Sequence, residues 1–405
     1  MDRRTLKDLD EAEVRGRRIF VRVDLNVPLN EDGSVADPGR IQGTLATLEA
    51  LSKQGGRLVL VSHLGRPDGA PDPAYSLAPV ARELSDLAGV PVPLLEGAPE
   101  DPGLRQAVDA LGDGEMALLE NVRFHPGETR NDPEFTRALA ELADHFVSDA
   151  FGTAHRAHAS TVGVPTIVRE RGGRAVAGLL MARELRFLDR ELQDPRRPFV
   201  AVLGGAKISG KIELIESILH RVDRLLVGGA MANTFLLALG LQVGRSLVEE
   251  DRVEVARELL ERWGERIVLP VDCVVAPEVK EGAEVEVRRR DEIGAEDRVA
   301  DVGPETVALF ASELQAARTV VWNGPMGVFE VPPFDRGTRD VARALAEATD
   351  DGTVSIVGGG DSAAAAVASG LADRITHISS GGGAALELLA GKVLPGVDVL
   401  ESSLD

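Results

Sequence analysis

The sequence predicts an α/β protein of two domains, each with helices packed against a parallel sheet. Short apolar runs alternate with amphipathic helical stretches along the chain, which is the pattern of βαβ units. With 405 residues, 44% of them hydrophobic, the chain is long enough to build two cores. Near its middle, a helical pattern at residues 176–192 is followed by Asp194-Pro195-Arg196-Arg197-Pro198, which predicts a domain boundary.

The alternation of elements runs through both halves. In the N-terminal half, strands are predicted at residues 19–23, 58–61, 117–119 and 146–147, and helices at residues 40–52, 77–88 and 134–143. In the C-terminal half, strands are predicted at residues 200–203, 225–227, 267–269, 320–322, 354–357 and 375–378. We expect an N-terminal domain of residues 1–175, an interdomain helix and hinge at 176–198, and a C-terminal domain of residues 199–392.

Five of the C-terminal strands are followed by glycine-rich loops. Bare backbone between a strand and a helix lets a phosphate approach the helix N-terminus, where free N–H groups and the dipole favour an anion. Five such loops in one half predict a nucleotide-binding cleft. They contain Gly204, Gly205 and Lys207; Gly228 and Gly229; Asn323, Gly324 and Pro325; Gly358, Gly359, Gly360, Asp361 and Ser362; and Gly381, Gly382 and Gly383.

Polar and basic residues follow the N-terminal strands instead of glycine. Because ligands bind outside the carboxyl ends of strands in open α/β sheets, these residues predict a second site. Arginine binds phosphate or carboxylate bidentately, so the pattern indicates a small substrate with several negative charges. The residues are Asp24, Leu25 and Asn26; His63, Leu64, Gly65 and Arg66; Arg123; and His155, Arg156 and His158, with Arg40 at the start of the first long helix.

Each of these residues has a structural alternative when taken alone. A single histidine is more often a packed core residue than a ligand. Taken alone, Arg40 fits a solvated charge at a helix start as well as it fits a binding residue. Taken alone, residues 358–362 also fit a tight turn with an Asp or Ser cap.

Familiar nucleotide and metal motifs are absent from the sequence. No Gly-x-Gly-x-x-Gly string occurs, which argues against a dinucleotide-binding dehydrogenase. The string from Gly205 to Lys211 nearly matches a P-loop, but Ile212 stands where Ser or Thr must hold Mg²⁺. Asp361 is therefore the best-placed metal ligand. The spacing of His155 and His158 beside an arginine suits an anion better than zinc.

The net charge of −21 argues against nucleic acid and anionic membranes as partners. Only six of the 45 basic residues are lysine, and 66 residues are acidic. Self-repulsion of this size is tolerable where salt screens it, so we expect a salt-adapted cytoplasm. A GC-rich genome is the alternative reason for the scarcity of lysine, although it does not account for the surplus of acids. The sequence contains no apolar run long enough for a membrane helix and no signal-peptide core. Its only cysteine is Cys273, so no intramolecular disulfide can form, and the sequence therefore predicts a cytoplasmic protein.

Taken together, these strings resemble the phosphoglycerate kinase family from about residue 19 to residue 396. Any one string could recur by chance, whereas the ordered set is highly specific. The departures are small: Ala230 replaces a common glycine, and Ser362 stands where threonine is frequent. The matching strings lie at residues 23–28, 62–67, 151–158, 204–211, 321–330, 358–362 and 380–394.

The resemblance implies a monomer of two lobes, each a Rossmann-like αβα sandwich joined to the other by the interdomain helix. It implies reversible phosphoryl transfer from 1,3-bisphosphoglycerate to ADP, giving 3-phosphoglycerate and ATP, as in glycolysis and gluconeogenesis. The acid would bind to the N-terminal lobe, and Mg²⁺ with ADP or ATP would bind to the C-terminal lobe. Residues 393–405 would return to the N-terminal lobe. Because water must be excluded from an acyl phosphate, the lobes are expected to close over both substrates.

The resemblance also assigns a role to each site residue. Arg40, Lys207 and Lys211 would be catalytic, with Arg40 nearest the transferring group and both lysines on the phosphates. Asp361 would bind the metal, and Gly381, Gly382 and Gly383 the transition-state phosphate. The substrate would contact Asp24, Leu25, Asn26, Arg40, His63, Leu64, Gly65, Arg66, Arg123 and Arg156. The nucleotide would contact Gly204, Gly205, Lys207, Lys211, Asn323, Gly324, Pro325, Glu330, Gly358, Gly359, Gly360, Asp361 and Ser362.

Two other functions remain compatible with the sequence. The glycine loops would serve another acyl-phosphate-forming kinase equally well, although the arginine and histidine set favours a phosphorylated acid over acetate. A nucleotide-binding protein that has lost activity usually lacks charged site residues, and here they are all present.

Overall fold

The computed structural model describes residues 3–208 and 212–403. The chain divides into two compact units, unit 1 with Met1–Asp189 and Val393–Asp405, and unit 2 with Arg190–Lys392. Each unit contains a six-stranded sheet whose described strands all pair in parallel. The predicted α/β class with parallel sheets is confirmed.

The sheet of unit 1 has the strand order β3-β4-β2-β1-β5-β6. Its strands are β1 (Arg18–Val23), β2 (Arg57–Val61), β3 (Leu94–Leu95), β4 (Met116–Leu119), β5 (His145–Asp149) and β6 (Ala175–Ala177). The α-helices that precede β6 in the chain are α1 (Glu11–Val14), α2 (Gly39–Lys53), α3 (Ala78–Ala88), α4 (Pro102–Asp109), α5 (Pro126–Arg130), α6 (Pro133–Ala140) and α7 (Val164–Glu170). A short π-helical turn, Ala159–Gly163, precedes α7.

Strand β1 lies inside this sheet and has both faces buried. Ile19, Val21 and Val23 belong to a core cluster that also contains residues of α2 and α3. On the opposite face, the Phe20 ring stacks on Phe146 with the ring centres 5.6 Å apart. Because side chains alternate along a strand, Arg22 shares the face of Phe20, and it is only 1% exposed. A charged side chain is therefore buried at the end of a strand that leads into the candidate site.

The predicted helix at residues 176–192 is wrong at its start. Ala175–Ala177 forms β6, which pairs with β5, and the helix α8 covers Leu179–Gln193. Gly178 separates the two elements, and a Cβ at Gly178 would lie 2.2 Å from Asp149 Oδ1. Three apolar residues are compatible with the helical period and with an edge strand equally well. They form a strand here because the edge of β5 is available for pairing.

Unit 2 repeats the architecture with the strand order β15-β14-β13-β7-β8-β9. The sheet consists of β7 (Phe199–Leu203), β8 (Arg224–Val227), β9 (Ile267–Val268), β13 (Thr319–Asn323), β14 (Val354–Gly358) and β15 (His377–Ile378). The helices are α9 (Ile212–Leu219), α10 (Gly229–Ala238), α11 (Val253–Trp263), α12 (Pro304–Ala316), α13 (Arg336–Asp350), α14 (Gly360–Ala368) and α15 (Gly382–Leu389). Trp322, Phe310 and Leu345 are fully buried in the core.

Unit 2 also contains a small antiparallel sheet that the sequence did not predict. Its strands β10 (Asp272–Ala276), β11 (Glu286–Arg289) and β12 (Arg298–Val302) pair in the order β11-β10-β12. Strand β11 is polar and largely exposed, so it has no apolar pattern to detect. In unit 1, the strands β3 and β6 were also missed, because two or three residues are too few for a periodic signal.

The C-terminal segment packs within unit 1. It contains the short helix α16 (Pro395–Asp398), and Gly396 N–H donates to the carbonyl of Ala154 at 2.8 Å. Glu401 N–H donates to Ala175 O at 2.9 Å, and the Glu401 carboxylate lies 3.1 Å from Arg4. No helix in the described part of the chain combines the length and the apolar character needed to cross a membrane.

Candidate active site

The first predicted pair in unit 1 is Asp24 and Arg40. Asp24 follows β1 and is 7% exposed, while Arg40 lies in the first turn of α2. The Arg40 Nη1 group donates to Asp24 Oδ2 at 2.5 Å. Since the Arg40 side chain is 36% exposed, the carboxylate orients the guanidinium without covering it. Arg40 therefore keeps N–H groups available for an anion.

The loop after β2 is attached to the loop after β1. Asn26 Oδ1 accepts a hydrogen bond from Gly65 N–H at 2.8 Å, and Leu25 N–H donates to Ser62 Oγ at 2.9 Å. Gly65 has a φ of +59°, and a Cβ there would lie 2.3 Å from the Tyr75 ring, so the turn requires glycine. The side chains of Leu25 and Leu64 lie in the hydrophobic core. These two residues can contact a ligand only through their backbone.

Three of the predicted arginines line one cavity of about 480 Å³ in unit 1, together with His158. Arg66 is exposed, and no described group forms a hydrogen bond or ion pair with its side chain. Arg123 is 8% exposed and donates to Gly65 O at 2.8 Å, and Arg156 donates to the His155 ring at 3.2 Å. Burial and the charges of Arg156 and Arg22 lower the pKa of Arg123 to about 10. Cations held this close together favour a bound anion.

His63 lies beside this cluster and is 4% exposed. Its Nδ1 lies 3.2 Å from Nη2 of Arg22. Burial first, and then the charges of Arg22, Arg123, Arg156 and Arg40, hold the pKa of His63 well below its usual value. The ring is therefore neutral at pH 7 and adds a hydrogen-bond donor to the site without adding positive charge.

The sequence interpretation missed three residues that support this cluster. Arg22 is buried on β1, and Glu128 on α5 is fully buried. Ser160, in the π-helical turn, hydrogen-bonds both side chains. An arginine inside an apolar strand is a signal that could have been noticed for Arg22. Glu128 and Ser160 belong to no motif, and only the fold brings them together.

The glycine loops of unit 2 pack against one another. Gly204 N–H donates to Asn323 O at 2.9 Å, and Gly205 N–H donates to Pro325 O at 3.0 Å. A Cβ at Gly204 would lie 2.1 Å from Pro325 O, and a Cβ at Gly382 would lie 1.9 Å from the nitrogen of Gly359. These glycines are required for loop packing, a reason that the sequence interpretation did not consider.

The loop at residues 358–362 leads into the N-terminus of α14. Gly359 has a φ of +97°, and Asn323 Nδ2 donates to Gly358 O at 2.8 Å. Ser362 is buried, and its Oγ accepts a hydrogen bond from Gly324 N–H at 2.6 Å. Asn323 and Ser362 therefore fix the loops in place, whereas the N–H groups of the first turn of α14 have no partner inside the helix.

Two cavities in unit 2 meet at this loop. One has a volume of about 510 Å³ and is lined by Lys207, Asp361, Gly359 and Ser362 among others. The other has a volume of about 350 Å³ and a largely apolar lining that includes Val302, Met326 and Val328, with Glu330 also in its wall. A cavity lined by loop glycines, Lys207 and Asp361 that adjoins one lined by apolar side chains fits the phosphates and the base of a nucleotide. Lys207 is exposed and has no ion pair among the described residues, while Lys211 lies outside the described residues.

The remaining predicted phosphate contacts lie at the start of α15. Gly381 is its N-cap, Gly382 is buried in its first turn, and Gly383 is exposed. Gly381 N–H lies 3.2 Å from Ser379 Oγ. Of the three glycines, Gly383 is the one whose backbone is open to a ligand.

The nucleotide site of unit 2 offers the carboxylate of Asp361 as a ligand for a divalent cation. Among the described residues, no group of three or more His, Cys, Asp or Glu side chains could hold a metal ion. Asp361 is exposed at the start of α14, and its carboxylate has no hydrogen bond or ion pair with a described residue. Mg²⁺ is usually bound by one or two carboxylates together with substrate phosphates and water, so Asp361 fits a metal that arrives with a nucleotide.

Two α/β units, one with an arginine-lined cavity and one with glycine loops at helix N-termini, are typical of a phosphotransferase with an anionic acceptor. The family model described as phosphoglycerate kinase matches residues 9–392. The chain belongs to the phosphoglycerate kinase family.

The individual comparisons agree with the family match. The chain is 50% identical over 403 residues to the phosphoglycerate kinase of Chlorobaculum tepidum, covering 99% of this chain and 100% of that one. It is 49% identical over 407 residues to the phosphoglycerate kinase of Chloroflexus aggregans, covering 100% of both. Among solved structures, the phosphoglycerate kinase of Coxiella burnetii is 41% identical with a TM-score of 0.81, covering 98% of both chains. That of Pyrococcus horikoshii is 33% identical with a TM-score of 0.84, covering 99% of this chain and 98% of the other.

Proposed function

We propose that this protein catalyses reversible phosphoryl transfer from 1,3-bisphosphoglycerate to ADP, giving 3-phosphoglycerate and ATP. The cavity of unit 1 lined by Arg66, Arg123 and Arg156 carries this proposal. In a chain with a net charge of −21, four arginines around one cavity, these three and Arg130, require a reason, and a substrate with a phosphate group supplies it. An unphosphorylated acid would not need so many cations.

The reaction needs no general base. A terminal phosphate oxygen of ADP forms a bond to the transferring phosphorus, and the bond between that phosphorus and the acyl oxygen breaks. Both oxygens carry negative charge when they are free, so no proton has to move. The catalytic task is to orient the reactants and to neutralise charge on the transferring group. Arg40, Lys207 and Lys211 supply that charge, with Arg40 closest to the group in transfer.

Substrate contacts follow from the exposed groups. Arg66, Arg123 and Arg156 hold the phosphate that stays on the product, and neutral His63 donates a further hydrogen bond. Asp24 and Asn26 act mainly through Arg40 and Gly65, which they hydrogen-bond. The nucleotide phosphates bind Lys207 and the N-terminus of α14, Gly383 lies at the transferring phosphate, and Glu330 binds the ribose.

Mg²⁺ is the proposed metal and would be held by Asp361 and the nucleotide phosphates. When bound, the ion neutralises phosphate charge and polarises the transferring group. The exposed Asp361 carboxylate forms no hydrogen bond or ion pair with a described residue, so it is available to a metal ion, which supports this assignment. We further propose a cytoplasmic monomer in glycolysis and gluconeogenesis, adapted to salt, with small molecules as its only partners.

A coupled assay that measures ADP formation from ATP tests the proposed function. With 3-phosphoglycerate as the acceptor the rate should be high, and with acetate or aspartate it should be at background. A preference for acetate or aspartate would indicate a different acyl-phosphate kinase. Binding of ATP without turnover of any acceptor would indicate an inactive nucleotide-binding protein.

A further inference from the structure

Arg22 lies too deep to contact a substrate directly. The side chain is 1% exposed on β1, on the same face as Phe20. A guanidinium in such surroundings is costly unless its charge is balanced and its N–H groups are hydrogen-bonded. The groups that satisfy Arg22 therefore explain why the residue is there.

The partners of Arg22 come from three parts of unit 1. Its Nε donates to Ser160 Oγ at 2.9 Å, and its Nη1 donates to the carbonyl oxygen of Val23. Its Nη2 lies 3.2 Å from Nδ1 of His63. Arg22 thus connects the turn that contains Ser160 to the histidine beside the arginine-lined cavity.

The balancing charge is Glu128, which is fully buried. Ser160 donates to Glu128 twice, from its backbone N–H at 2.9 Å and from its hydroxyl at 2.6 Å. The Ser160 hydroxyl therefore accepts from Arg22 and donates to Glu128, and it bridges the two charges. Burial would raise the pKa of Glu128, but the hydrogen bonds of His158 and Ser160 and the charge of Arg22 lower it overall. The carboxylate remains ionised, and the orientation of Arg22 is fixed.

A fixed Arg22 determines where His63 carries its proton. A guanidinium has only N–H donors, so His63 Nδ1 must be the acceptor in this contact. In the neutral ring the proton is then on Nε2, and no described group hydrogen-bonds Nε2. The opposite tautomer would present a lone pair at Nε2 and would repel an anion.

We propose that Arg22 is a positioning residue: linked to Glu128 through Ser160, it holds His63 in the tautomer with the proton on Nε2. His63 then donates this N–H to the anionic substrate beside Arg123 and Arg156. The identity of that substrate as 3-phosphoglycerate rests on the function proposed above.

The tautomer can be measured in the wild-type protein without substrate. Nitrogen NMR of ¹⁵N-histidine-labelled protein distinguishes protonated from unprotonated ring nitrogens, and the spectrum of His63→Gln identifies the His63 signals. We expect a protonated Nε2 and an unprotonated Nδ1 at neutral pH. A protonated Nδ1, with or without a protonated Nε2, would overturn the proposal.

Variants test whether Arg22 is the cause. Arg22→Met should mix the His63 tautomers and weaken 3-phosphoglycerate binding about 10-fold to 100-fold, which is the range expected for a hydrogen bond to a charged group. Nucleotide affinity should not change. Since Arg22→Met removes the cation that balances the buried Glu128 carboxylate, the double variant Arg22→Met, Glu128→Gln is measured as well, because it removes both charges. Arg18→Met is the matched control, because Arg18 lies on the same strand but pairs with Asp109 and Asp144.

Two results would contradict the role of Arg22. One is unchanged affinity for 3-phosphoglycerate in the folded double variant. The other is a loss of affinity while the His63 nitrogen signals remain as in the wild type, which would indicate a merely structural effect. Failure of the wild-type protein to bind 3-phosphoglycerate would refute the proposed function instead, and the NMR result distinguishes that case.

Discussion

At the scale of single residues, the arginines of unit 1 differ in how much of their hydrogen bonding the fold already uses. Arg22 is buried and bonded to its neighbours, whereas Arg66 is exposed and has no partner among the described residues. Arg40 lies between these extremes, with one hydrogen bond to Asp24 and more than a third of its side chain exposed. Residues of one type therefore have different expected roles in the reaction.

Arg40 and Arg66 should have different kinetic effects when each is replaced by alanine. Arg40→Ala should lower turnover on the order of 10³-fold or more, as for an arginine that acts in the transition state of phosphoryl transfer. Arg66→Ala should mainly raise the Michaelis constant for 3-phosphoglycerate, because the phosphate that stays on the substrate is bound throughout. Steady-state kinetics with melting temperatures as the control measure both. Equal, modest increases in the Michaelis constant with intact turnover would mean that Arg40 only anchors the substrate.

Asp361→Asn should change the response to metal. The amide keeps the shape of the side chain but removes the anionic oxygen that a hard cation prefers, so activity should fall sharply and recover partly at higher Mg²⁺. Calorimetric binding of 3-phosphoglycerate should remain the same. Asp351→Asn is the control, because Asp351 is exposed and precedes β14, whereas Asp361 follows that strand. An unchanged Mg²⁺ dependence in Asp361→Asn would remove this residue from the metal site.

At the scale of elements, loops and helix starts are fixed by close backbone contacts and by buried polar groups. Gly382 touches the backbone of the 358–362 loop, while a Cβ on Gly360 would meet no atom within 4 Å. In unit 1, Asp149 at the end of β5 accepts a hydrogen bond from Met181 N–H at the start of α8. Its Oδ2 is buried and has no hydrogen-bond partner.

Gly382→Ala and Gly360→Ala should separate packing from ligand binding. Gly382→Ala forces the loops apart and should lower the stability of the protein by about 1–3 kcal/mol, the usual cost of overpacking. Gly360→Ala should leave the melting temperature unchanged or slightly higher, because alanine favours a helix. Its effect should be weaker ATP binding, since the added methyl group narrows the approach to the N-terminus of α14. Thermal melts and ATP calorimetry on both variants test this, and a destabilised Gly360→Ala would contradict it.

Asp149→Asn should stabilise the protein at neutral pH. Burial raises the pKa of Asp149 to about 6 in the folded state, above the usual aspartate pKa of about 3.9. The folded state therefore holds the proton more tightly, and the favourable contribution present at low pH is lost as the pH rises from about 4 to about 6. At pH 7.5 the ionised carboxylate costs on the order of 3 kcal/mol, which the neutral amide should recover.

Denaturant melts of Asp149→Asn and the wild type at pH 4 and pH 7.5 measure this difference. The gain in stability should be larger at pH 7.5 than at pH 4. Asp86→Asn, at an exposed position on α3, is the control and should show no such dependence. A gain that is equal at both pH values, or larger at pH 4, would contradict the raised pKa.

At the scale of the whole molecule, the surplus of acidic residues dominates the electrostatics. Exposed arginines and lysines form many ion pairs, such as Arg15 with Glu11 and Lys53 with Glu49, but each such pair contributes little. With 66 acidic and 45 basic residues, acidic charges remain unbalanced. Their repulsion favours the expanded unfolded chain and acts over longer distances when salt is low.

The melting temperature and the activity should therefore rise with KCl. The Debye length falls from about 10 Å at 0.1 M to about 3 Å at 1 M, which removes most of the repulsion between exposed charges. Melting curves and coupled assays between about 0.1 and 2 M KCl cover the range in which screening saturates. A melting temperature that stays flat or drops over this range would reject salt adaptation.

Much of the fold could be predicted from the sequence, because long apolar runs and helical periods are local signals. Helix α2 was predicted within one residue at each end, and ten predicted strands have counterparts in the two parallel sheets. The small antiparallel sheet and β6 could not be predicted in this way. Their strands are short or polar, and they form because a neighbouring backbone edge is available.

Motif positions and the family were determined by the sequence itself. Loop glycines, arginines and histidines at strand ends are encoded locally, and their order along the chain identifies the phosphoglycerate kinase family. Only the tertiary structure decided how these residues are used. Gly382 must be glycine because its Cα packs against the backbone of Gly359, more than 20 residues earlier in the chain. The Ser362 hydroxyl already accepts a hydrogen bond from Gly324 N–H. Arg22, Ser160 and Glu128 are far apart in the chain, and burial together makes them one charge-balanced unit that sets the state of His63. Such pairings depend on distance and solvent exclusion in three dimensions, which no local pattern of residues contains.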